Sequence, residues 1–189
     1  MMSDDDPIDQ LLDPWPCVVG RFQPFHRDHL SLVERAAADG GGVIVAVTNA
    51  ETSWRVPVAE ASHRHLAEAN LFTYWQRVEM VLAATSDILA RDRLRITPFP
   101  IHDPDAWDAY LPVGTECWVR DRGPWEQEKI RLLSNRYAVR SLDAVTDEVT
   151  GSDIRRRLVA GDESWCDDVP PSVAALICKW RRDGVVAFP

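Results

Sequence analysis

The sequence predicts an α/β protein with a Rossmann-like, doubly wound parallel sheet and a helical C-terminal segment. Short apolar runs alternate with segments whose apolar residues recur at helical spacing, which is typical of parallel sheets. A length of 189 residues and a hydrophobic content of 46% suit one such domain. We therefore assign residues 15–189 to a single domain and residues 1–14 to a flexible acidic N-terminus.

The first unit is predicted as a strand, a tight loop, a helix and a second strand. Residues 17–19 form a short apolar strand, and after His29 the apolar residues recur at helical spacing. The glycines at 40–42 end this helix, and residues 43–47 form the second buried strand. This order implies two parallel strands with a right-handed crossover.

The same alternation continues to the end of the chain. Ligands of doubly wound sheets bind at the carboxyl ends of the strands, so the loops after the strands are the candidate site. The remaining predicted elements are, in order, a helix over 73–84, strands over 94–99 and 116–119, a helix over 124–133 with Pro124 first, a strand over 137–142, and a helix over 170–180.

Two histidines, His26 and His29, stand where the first strand and loop become a helix. The first N–H groups of a helix lack internal partners and carry partial positive charge, so they stabilise an anion. Two imidazoles at that point can hold a reacting phosphate. An isolated H-x-x-H is usually an ordinary surface turn, but the flanking strand and helix favour phosphate binding here.

A second basic segment begins at Ser152, which is the expected N-cap of a short helix over 153–160 that Gly161 ends. Three consecutive arginines, residues 155–157, fall near its first turn, where they oppose the helix dipole and repel one another. A bound polyphosphate would attract these arginines and so make their position favourable. Successive helical residues point about 100° apart, so the three arginines cannot all reach one ligand. A plain solvated basic face is the alternative.

Composition excludes several classes of partner. The net charge of −9 argues against nonspecific binding to nucleic acid or to acidic membranes, although positive residues cluster near both motifs and at 120–122. No apolar run approaches the roughly 20 residues of a membrane span, and we expect a cytoplasmic protein. The four cysteines are widely spaced, which indicates neither a zinc site nor disulfides, so the chain is expected to hold no metal of its own.

Both segments resemble a known family. Residues 20–30, GRFQPFHRDHL, resemble the H-x-G-H signature of the nucleotidyltransferase superfamily, in the form typical of archaeal-type nicotinamide mononucleotide (NMN) adenylyltransferases. Residues 150–158 resemble that family's S-G-T-E-[IV]-R-R-R motif, and residues 71–77 resemble its P-F-T-x-x-E-R segment more weakly. The likeness covers most of residues 17–180. It implies transfer of a nucleoside monophosphate from a nucleoside triphosphate (NTP), first of all ATP bound with Mg²⁺, to NMN, giving NAD⁺ and pyrophosphate.

The resemblance also implies that the protein can form a homo-oligomer, since relatives of this type commonly do. It further implies roles for individual residues. Trp107 would stack on the nicotinamide ring. The implied catalytic residues are His26, His29, Arg21 and Arg155; the implied nucleotide and phosphate ligands are Gly20, Phe22, Gln23, Ser152, Ile154 and Arg120; the implied acceptor-binding residues are Trp107, Asp103 and Phe72.

This chain departs from the family pattern in ways that leave the substrate open. Asp28 replaces the glycine of H-x-G-H, and residues 48–53 and 119–124 match the usual pocket segments poorly. One alternative is an adenylyl- or cytidylyltransferase that acts on another phosphate or phosphonate. Another is a nucleotide-binding regulatory protein that Asp28 has impaired catalytically.

Overall fold

Five parallel strands form the sheet in a computed structural model, which describes residues 14–38, 41–61, 63–143, 149–186 and 188. Apart from Pro14, the predicted flexible N-terminus lies outside the described residues. The helices and strands are β1 Cys17–Gly20, α1 Arg27–Ala36, β2 Val43–Thr48, α2 Tyr74–Thr85, β3 Leu94–Phe99, β4 Glu116–Asp121, α3 Pro124–Leu133, β5 Ala138–Asp143, α4 Gly151–Ala160 and α5 Pro171–Arg182.

The strand order is β3-β2-β1-β4-β5, which confirms the doubly wound parallel sheet. The chain builds outward from β1 to β2 and β3, then returns to add β4 on the other side of β1. Cys17 of β1 is paired with both Ile44 and Cys117, so β1 is the central strand. The reversal of strand order between β1 and β4 opens a crevice at their carboxyl ends, where ligands of such sheets bind.

Two apolar layers cover the sheet because side chains of a strand alternate between its faces. Val18 packs with α1, α2, α4 and α5 on one face. Its neighbours Cys17 and Val19 pack on the other face with α3 and a 3₁₀ segment at Pro104–Ala109. Both faces of β1 are thus buried, as its uninterrupted apolar sequence predicts.

Three local predictions differ from the structure. β4 continues beyond its predicted end to Asp121, which places Arg120 inside the strand. The helical apolar stripe Trp75, Val78, Val81 and Leu82 predicts that Trp75 lies on the buried face of α2. It is 67% exposed instead, because neighbours such as Arg77 and Met80 form the buried face. Thr150, rather than Ser152, caps α4: its side chain accepts a hydrogen bond from the backbone N–H of Asp153.

Two cysteines that are distant in sequence lie close together on the surface of the C-terminal region. The sulfurs of Cys166 and Cys178 and a carboxylate oxygen of Glu163 all lie within 4.8 Å of one another. Arg181 donates a hydrogen bond of 2.7 Å to Glu163. Separately, none of the described helices is long and apolar enough to cross a membrane.

Candidate functional site

A cleft of about 330 Å³ opens at the carboxyl ends of β1 and β4. Its walls are the loop after β1, the N-termini of α1 and α4, the exit of β4, the first turns of α3, and a segment near residue 63. The volume is in the range of small-molecule sites. Both sequence motifs therefore meet at the crevice where the strand order reverses.

The loop after β1 has little freedom to change shape. A Cβ on Gly20 would lie 2.6 Å from the Phe22 ring, so the ring can fold over this position only because glycine occupies it. The Gln23 side chain donates to the carbonyl of Phe72 at 2.7 Å and accepts from its N–H at 2.9 Å. The Gln23 amide is thus already paired, and it holds the loop to the chain before α2.

Arg77 of α2 holds the same loop in place. Its fully buried guanidinium donates to the carbonyls of Arg21 and Thr48, each at 2.8 Å, and to the carbonyl of Asn49 at 2.9 Å. These carbonyls lie at the end of β2 and just beyond the ends of β1 and β2. Sequence reasoning assigned Arg77 no role in the site, although the weak family likeness at 71–77 was a signal for it.

The two histidines stack face to face at the start of α1. Their ring centroids are 3.6 Å apart and the planes differ by 24°. The backbone N–H of His26 donates to Nδ1 of His29 at 3.2 Å. An imidazole nitrogen that accepts a hydrogen bond carries no proton, so the proton of neutral His29 is on Nε2. His29 is therefore a donor toward a ligand.

Both imidazoles are uncharged at neutral pH. Burial, together with Arg122, Arg155 and Arg120, lowers the pKa of His26 to about 3. Burial and the neighbouring His26 lower the pKa of His29 well below its usual value. The Nδ1 of His26 is buried and has no hydrogen-bond partner among the described residues. The pair thus offers neutral hydrogen-bonding groups among fixed cations.

Arg155 links α4 to the loop after β1. Its Nη1 donates to the carbonyl of Gln23 at 2.7 Å and its Nη2 donates to Oγ of Ser152 at 2.9 Å. Gly151 permits this approach, since a Cβ there would lie 3.2 Å from the Gln23 carbonyl oxygen. Of the three consecutive arginines only Arg155 lines the cleft. Arg156 forms an exposed ion pair with Asp153, and Arg157 forms an ion pair with Asp168.

The cleft is strongly cationic although the chain is acidic. Lys129 is buried, donates to the Val19 carbonyl at 3.3 Å, and has its pKa lowered to about 8 chiefly by burial. Burial and nearby arginines likewise lower the pKa of Arg21, although a guanidinium stays protonated. Two carboxylates, Asp28 and Glu126, face six cationic side chains among the described lining residues: Arg21, Arg64, Arg120, Arg122, Lys129 and Arg155.

Asp28, the residue in place of the motif glycine, is paired with two of these arginines. Its Oδ1 lies 2.6 Å from Nε of Arg120, and its Oδ2 contacts the guanidinium of Arg122. The carboxylate is therefore neutralised within the protein. Its repulsion of a bound phosphate is much weaker than the sequence alone suggests.

The structure does not bring every implied ligand to the cleft. Trp107, predicted to stack on a substrate ring, is fully buried behind β3, and its Nε1 donates to the Pro100 carbonyl at 2.9 Å. Ile154 and the ring of Phe72 lie in the core, and Asp103 is exposed away from the cleft. The predicted residues that do line it are Gly20, Arg21, Phe22, Gln23, His26, His29, Arg120, Ser152 and Arg155.

Several lining residues were missing from the predicted site, among them Arg64, Arg122, Trp125, Glu126 and Lys129. The buried position of Lys129 could have been recognised from the sequence. It falls on the buried stripe of α3, one turn after Trp125 and one turn before Leu133. A lysine on an apolar stripe has to find a polar partner or a ligand.

A doubly wound sheet with neutral imidazoles, arginines and two helix N-termini at one crevice defines a protein built for phosphate chemistry. Residues 17–158 match the family described as Cytidylyltransferase-like, and the chain belongs to this family of nucleotidyltransferases.

Relatives of two activities are similar to this chain over most of its length. It is 30% identical to the phosphonoformate cytidylyltransferase of Streptomyces viridochromogenes, covering 84% of this chain and 87% of the relative. It is also 30% identical to the nicotinamide-nucleotide adenylyltransferase of Thermoplasma acidophilum, covering 85% and 83%.

Among solved structures, a bifunctional NMN adenylyltransferase/ADP ribose pyrophosphatase from Francisella tularensis has the same fold. The TM-score is 0.64 at 16% identity, over 89% of this chain and 50% of that longer one.

Proposed function

We propose that this protein transfers a nucleoside monophosphate from an NTP to a small phosphate- or phosphonate-bearing acceptor and releases pyrophosphate. One observation carries the proposal. The stacked His26 and His29 share a cleft with Arg155 at the place where the N-termini of α1 and α4 both open. This arrangement stabilises negative charge from several directions, which is what phosphoryl-type transfer requires.

The chemistry needs no covalent enzyme intermediate. An oxygen of the acceptor attacks the α-phosphorus of the NTP, an acceptor O–P bond forms, and the bond to the β-phosphate oxygen breaks with its electrons leaving on pyrophosphate. Nε2–H of His29 donates to the oxygens that gain charge. Arg155 and Arg21 neutralise the phosphates and the leaving pyrophosphate, and Ser152 completes the cradle at the start of α4.

Mg²⁺ would enter with the NTP and neutralise its phosphates. The described lining residues fit this arrangement better than a protein-built metal cage, because the carboxylates of Asp28 and Glu126 already face arginines. Mg²⁺ in nucleotide sites is commonly held by substrate phosphates, water and few carboxylates.

NMN with ATP is the first candidate pair of substrates. Its support is the family motif at 20–30 and the names of relatives such as the T. acidophilum enzyme. On this proposal the protein would supply NAD⁺ in the cytoplasm. The described structure does not supply the stacking tryptophan that the resemblance implied, so NMN recognition would have to use other residues.

A phosphonate acceptor with CTP is the second candidate, and one contact favours it. Trp125 is the indole in the cleft wall, and the guanidinium carbon of Arg64 lies 4.9 Å from its ring centroid. A cation already covers that ring, so a positively charged pyridinium would be repelled there. The S. viridochromogenes relative is named for a cytidylyl transfer to a phosphonate.

The test is a matrix of substrates. The purified protein is incubated with Mg²⁺, each of the four common NTPs, and either NMN or phosphonoformate, while pyrophosphate release and the mass of the product are measured. Arg155→Ala should abolish product formation, and Arg156→Ala, a matched change one residue further on, should not. NAD⁺ formation selects the first candidate, and a cytidylylated phosphonate selects the second. Thermal stabilisation by an NTP without product from any pair would contradict both and favour a regulatory protein.

A further inference from the structure

We propose that Cys166, Cys178 and Glu163 form a binding site for one Zn²⁺ ion in the C-terminal region. The two thiols would bind the ion as thiolates after giving their protons to solvent, and the carboxylate would supply an oxygen. A water molecule would complete the four ligands. None of the three residues lines the cleft, so the site is separate from the proposed function.

The first observation is that three donor atoms converge from two elements. The sulfurs and the carboxylate oxygen lie within 4.8 Å of one another; Cys166 and Glu163 come from the 3₁₀ segment Glu163–Asp168, and Cys178 comes from α5. Bonds of about 2.3 Å to sulfur and about 2.1 Å to oxygen place tetrahedral ligands roughly 3.5–4 Å apart. The separations therefore exceed those of a zinc site by no more than about 1.3 Å.

The second observation is the chemistry of the donors. Two thiolates and a carboxylate are ligands that Zn²⁺ accepts, whereas a disulfide would use the sulfurs alone. These three anions carry one more negative charge than the ion neutralises. Arg181, which donates to Glu163 at 2.7 Å, supplies the missing positive charge and orients the carboxylate. Ligating carboxylates are commonly held by such outer hydrogen bonds.

The third observation is that both thiols are held in place by the core. Cys166 follows Trp165, and Cys178 follows Ile177; the side chains of these two neighbours are fully buried. The cysteines themselves are half-buried and pack against the same core. The positions of the sulfurs are thus set by packing, and a site that is already assembled binds a metal at a smaller entropic cost.

The other two cysteines of the chain show what distinguishes this cluster. Cys17 and Cys117 are register partners on β1 and β4 inside the core. Within the described ranges, the cluster at 163, 166 and 178 is the only group of three or more His, Cys, Asp or Glu side chains whose donor atoms meet in this way. The spacing of the cysteines in the sequence conceals it, because the donors meet only when the 3₁₀ segment packs on α5.

The segment that the ion would fasten to α5 also contacts two helices of the cleft. Arg27, the first residue of α1, donates to the Asp167 carbonyl at 2.7 Å. Arg157 of α4 forms an ion pair with Asp168. Binding of Zn²⁺ would therefore stabilise a segment that joins α1, α4 and α5.

The experiment titrates Co²⁺ into the full chain, which is first reduced and freed of metal with a chelator. Co²⁺ accepts the same tetrahedral ligands as Zn²⁺ and shows charge-transfer absorption when thiolates bind it. One equivalent should give this absorption, and excess Zn²⁺ should remove it. Cys166→Ser and Cys178→Ser should each weaken binding by at least about 100-fold, since loss of a mere outer-shell partner already costs about 10- to 100-fold.

Cys17→Ala is the matched control, because it removes a thiol from the pair that no third donor joins among the described residues. It should bind Co²⁺ as the wild type does. An equal loss in Cys17→Ala would assign the thiolate ligands to the core pair and overturn the proposal. Binding without charge-transfer absorption, or unchanged binding in Cys178→Ser, would also overturn it.

Glu163→Gln tests the third ligand without disturbing the core, because 61% of this side chain is exposed. It should weaken Co²⁺ binding by about tenfold while the charge-transfer absorption persists. If a serine variant fails to fold, Glu163→Gln decides the matter, and an affinity equal to that of the wild type would contradict the proposal.

Thermal unfolding and mass spectrometry complete the test. Zn²⁺ should raise the unfolding midpoint of the wild type and of Cys17→Ala, and it should leave that of Cys178→Ser unchanged. If dissolved oxygen converts Cys166 and Cys178 into a disulfide although one equivalent of Zn²⁺ is present, the thiols form a redox pair and the proposal is wrong. None of these readouts requires turnover, so the outcome is independent of the proposed function.

Discussion

Replacement of His29 tests the mechanism most directly. His29→Ala removes the Nε2–H donor, whose orientation follows from the hydrogen bond that Nδ1 accepts from the His26 backbone. Removal of one pre-positioned donor to a developing charge typically lowers turnover by about 100- to 1000-fold. We expect a decrease of at least about 100-fold, which corresponds to about 2.7 kcal/mol in the barrier.

The effect on folding should be much smaller. His29→Ala leaves the N–H of His26 without its acceptor, and loss of one neutral hydrogen bond costs about 1 kcal/mol. Domains are commonly stable by about 5–15 kcal/mol, so the variant should remain folded. His29→Asn separates the two roles, because the asparagine oxygen can accept from the His26 N–H while the amide does not reach as far as Nε2.

Initial rates of pyrophosphate release at saturating substrates, together with urea unfolding, measure both effects. His29→Asn should be as slow as His29→Ala yet close to the wild type in stability. His29→Gln, whose longer amide extends a donor into the cleft, should recover part of the rate. A rate for His29→Ala within fivefold of the wild type would refute the assigned role.

Three further predictions concern stability and use urea unfolding. Gly20→Ala should cost about 1–3 kcal/mol, since its Cβ would lie 2.6 Å from the Phe22 ring, whereas Gly41→Ala, which has space, should change stability by less than about 0.5 kcal/mol. The pKa of His26 is held at about 3, so below about pH 6.5 only the unfolded chain protonates this residue, and its contribution to the fall in unfolding free energy should steepen below pH 6.5 toward about 1.4 kcal/mol per pH unit near pH 5. A His26→Gln variant with the same slope would contradict this cause. Arg77→Lys keeps the charge but loses at least two of the three contacts to the carbonyls of Arg21, Thr48 and Asn49, so it should cost about 3 kcal/mol; an unchanged midpoint would show that those contacts are dispensable.

Elements with strong local signals were predicted closely. The alternation of apolar and polar residues in β3 and the proline start of α3 gave the observed bounds, Leu94–Phe99 and Pro124–Leu133. The meeting of the two motifs at one sheet edge followed from topology, since the carboxyl ends of parallel strands share that edge. The loop histidines and Arg155 could therefore be placed in one site before any contact was known.

Contacts between distant segments could not be read from the sequence. From the sequence, Asp28 is a carboxylate that would repel a bound phosphate. The local sequence does not show that Arg120 and Arg122, at the end of β4, form ion pairs with it. Trp107 appeared available for a substrate ring, but its burial depends on the packing of Tyr137 against it. Such outcomes are decided by tertiary packing rather than by local spacing.

The buried Arg77 gives the cleft a property that concerns rates. The guanidinium of Arg77 binds carbonyls at the carboxyl ends of β1 and β2, so the loop that contains Gln23 takes its shape during folding. This loop therefore does not need to become ordered when a substrate binds. A preformed receptor loses little conformational entropy on association. Related acceptors should therefore enter at similar rates, and the enzyme should distinguish them chiefly by how long each one stays.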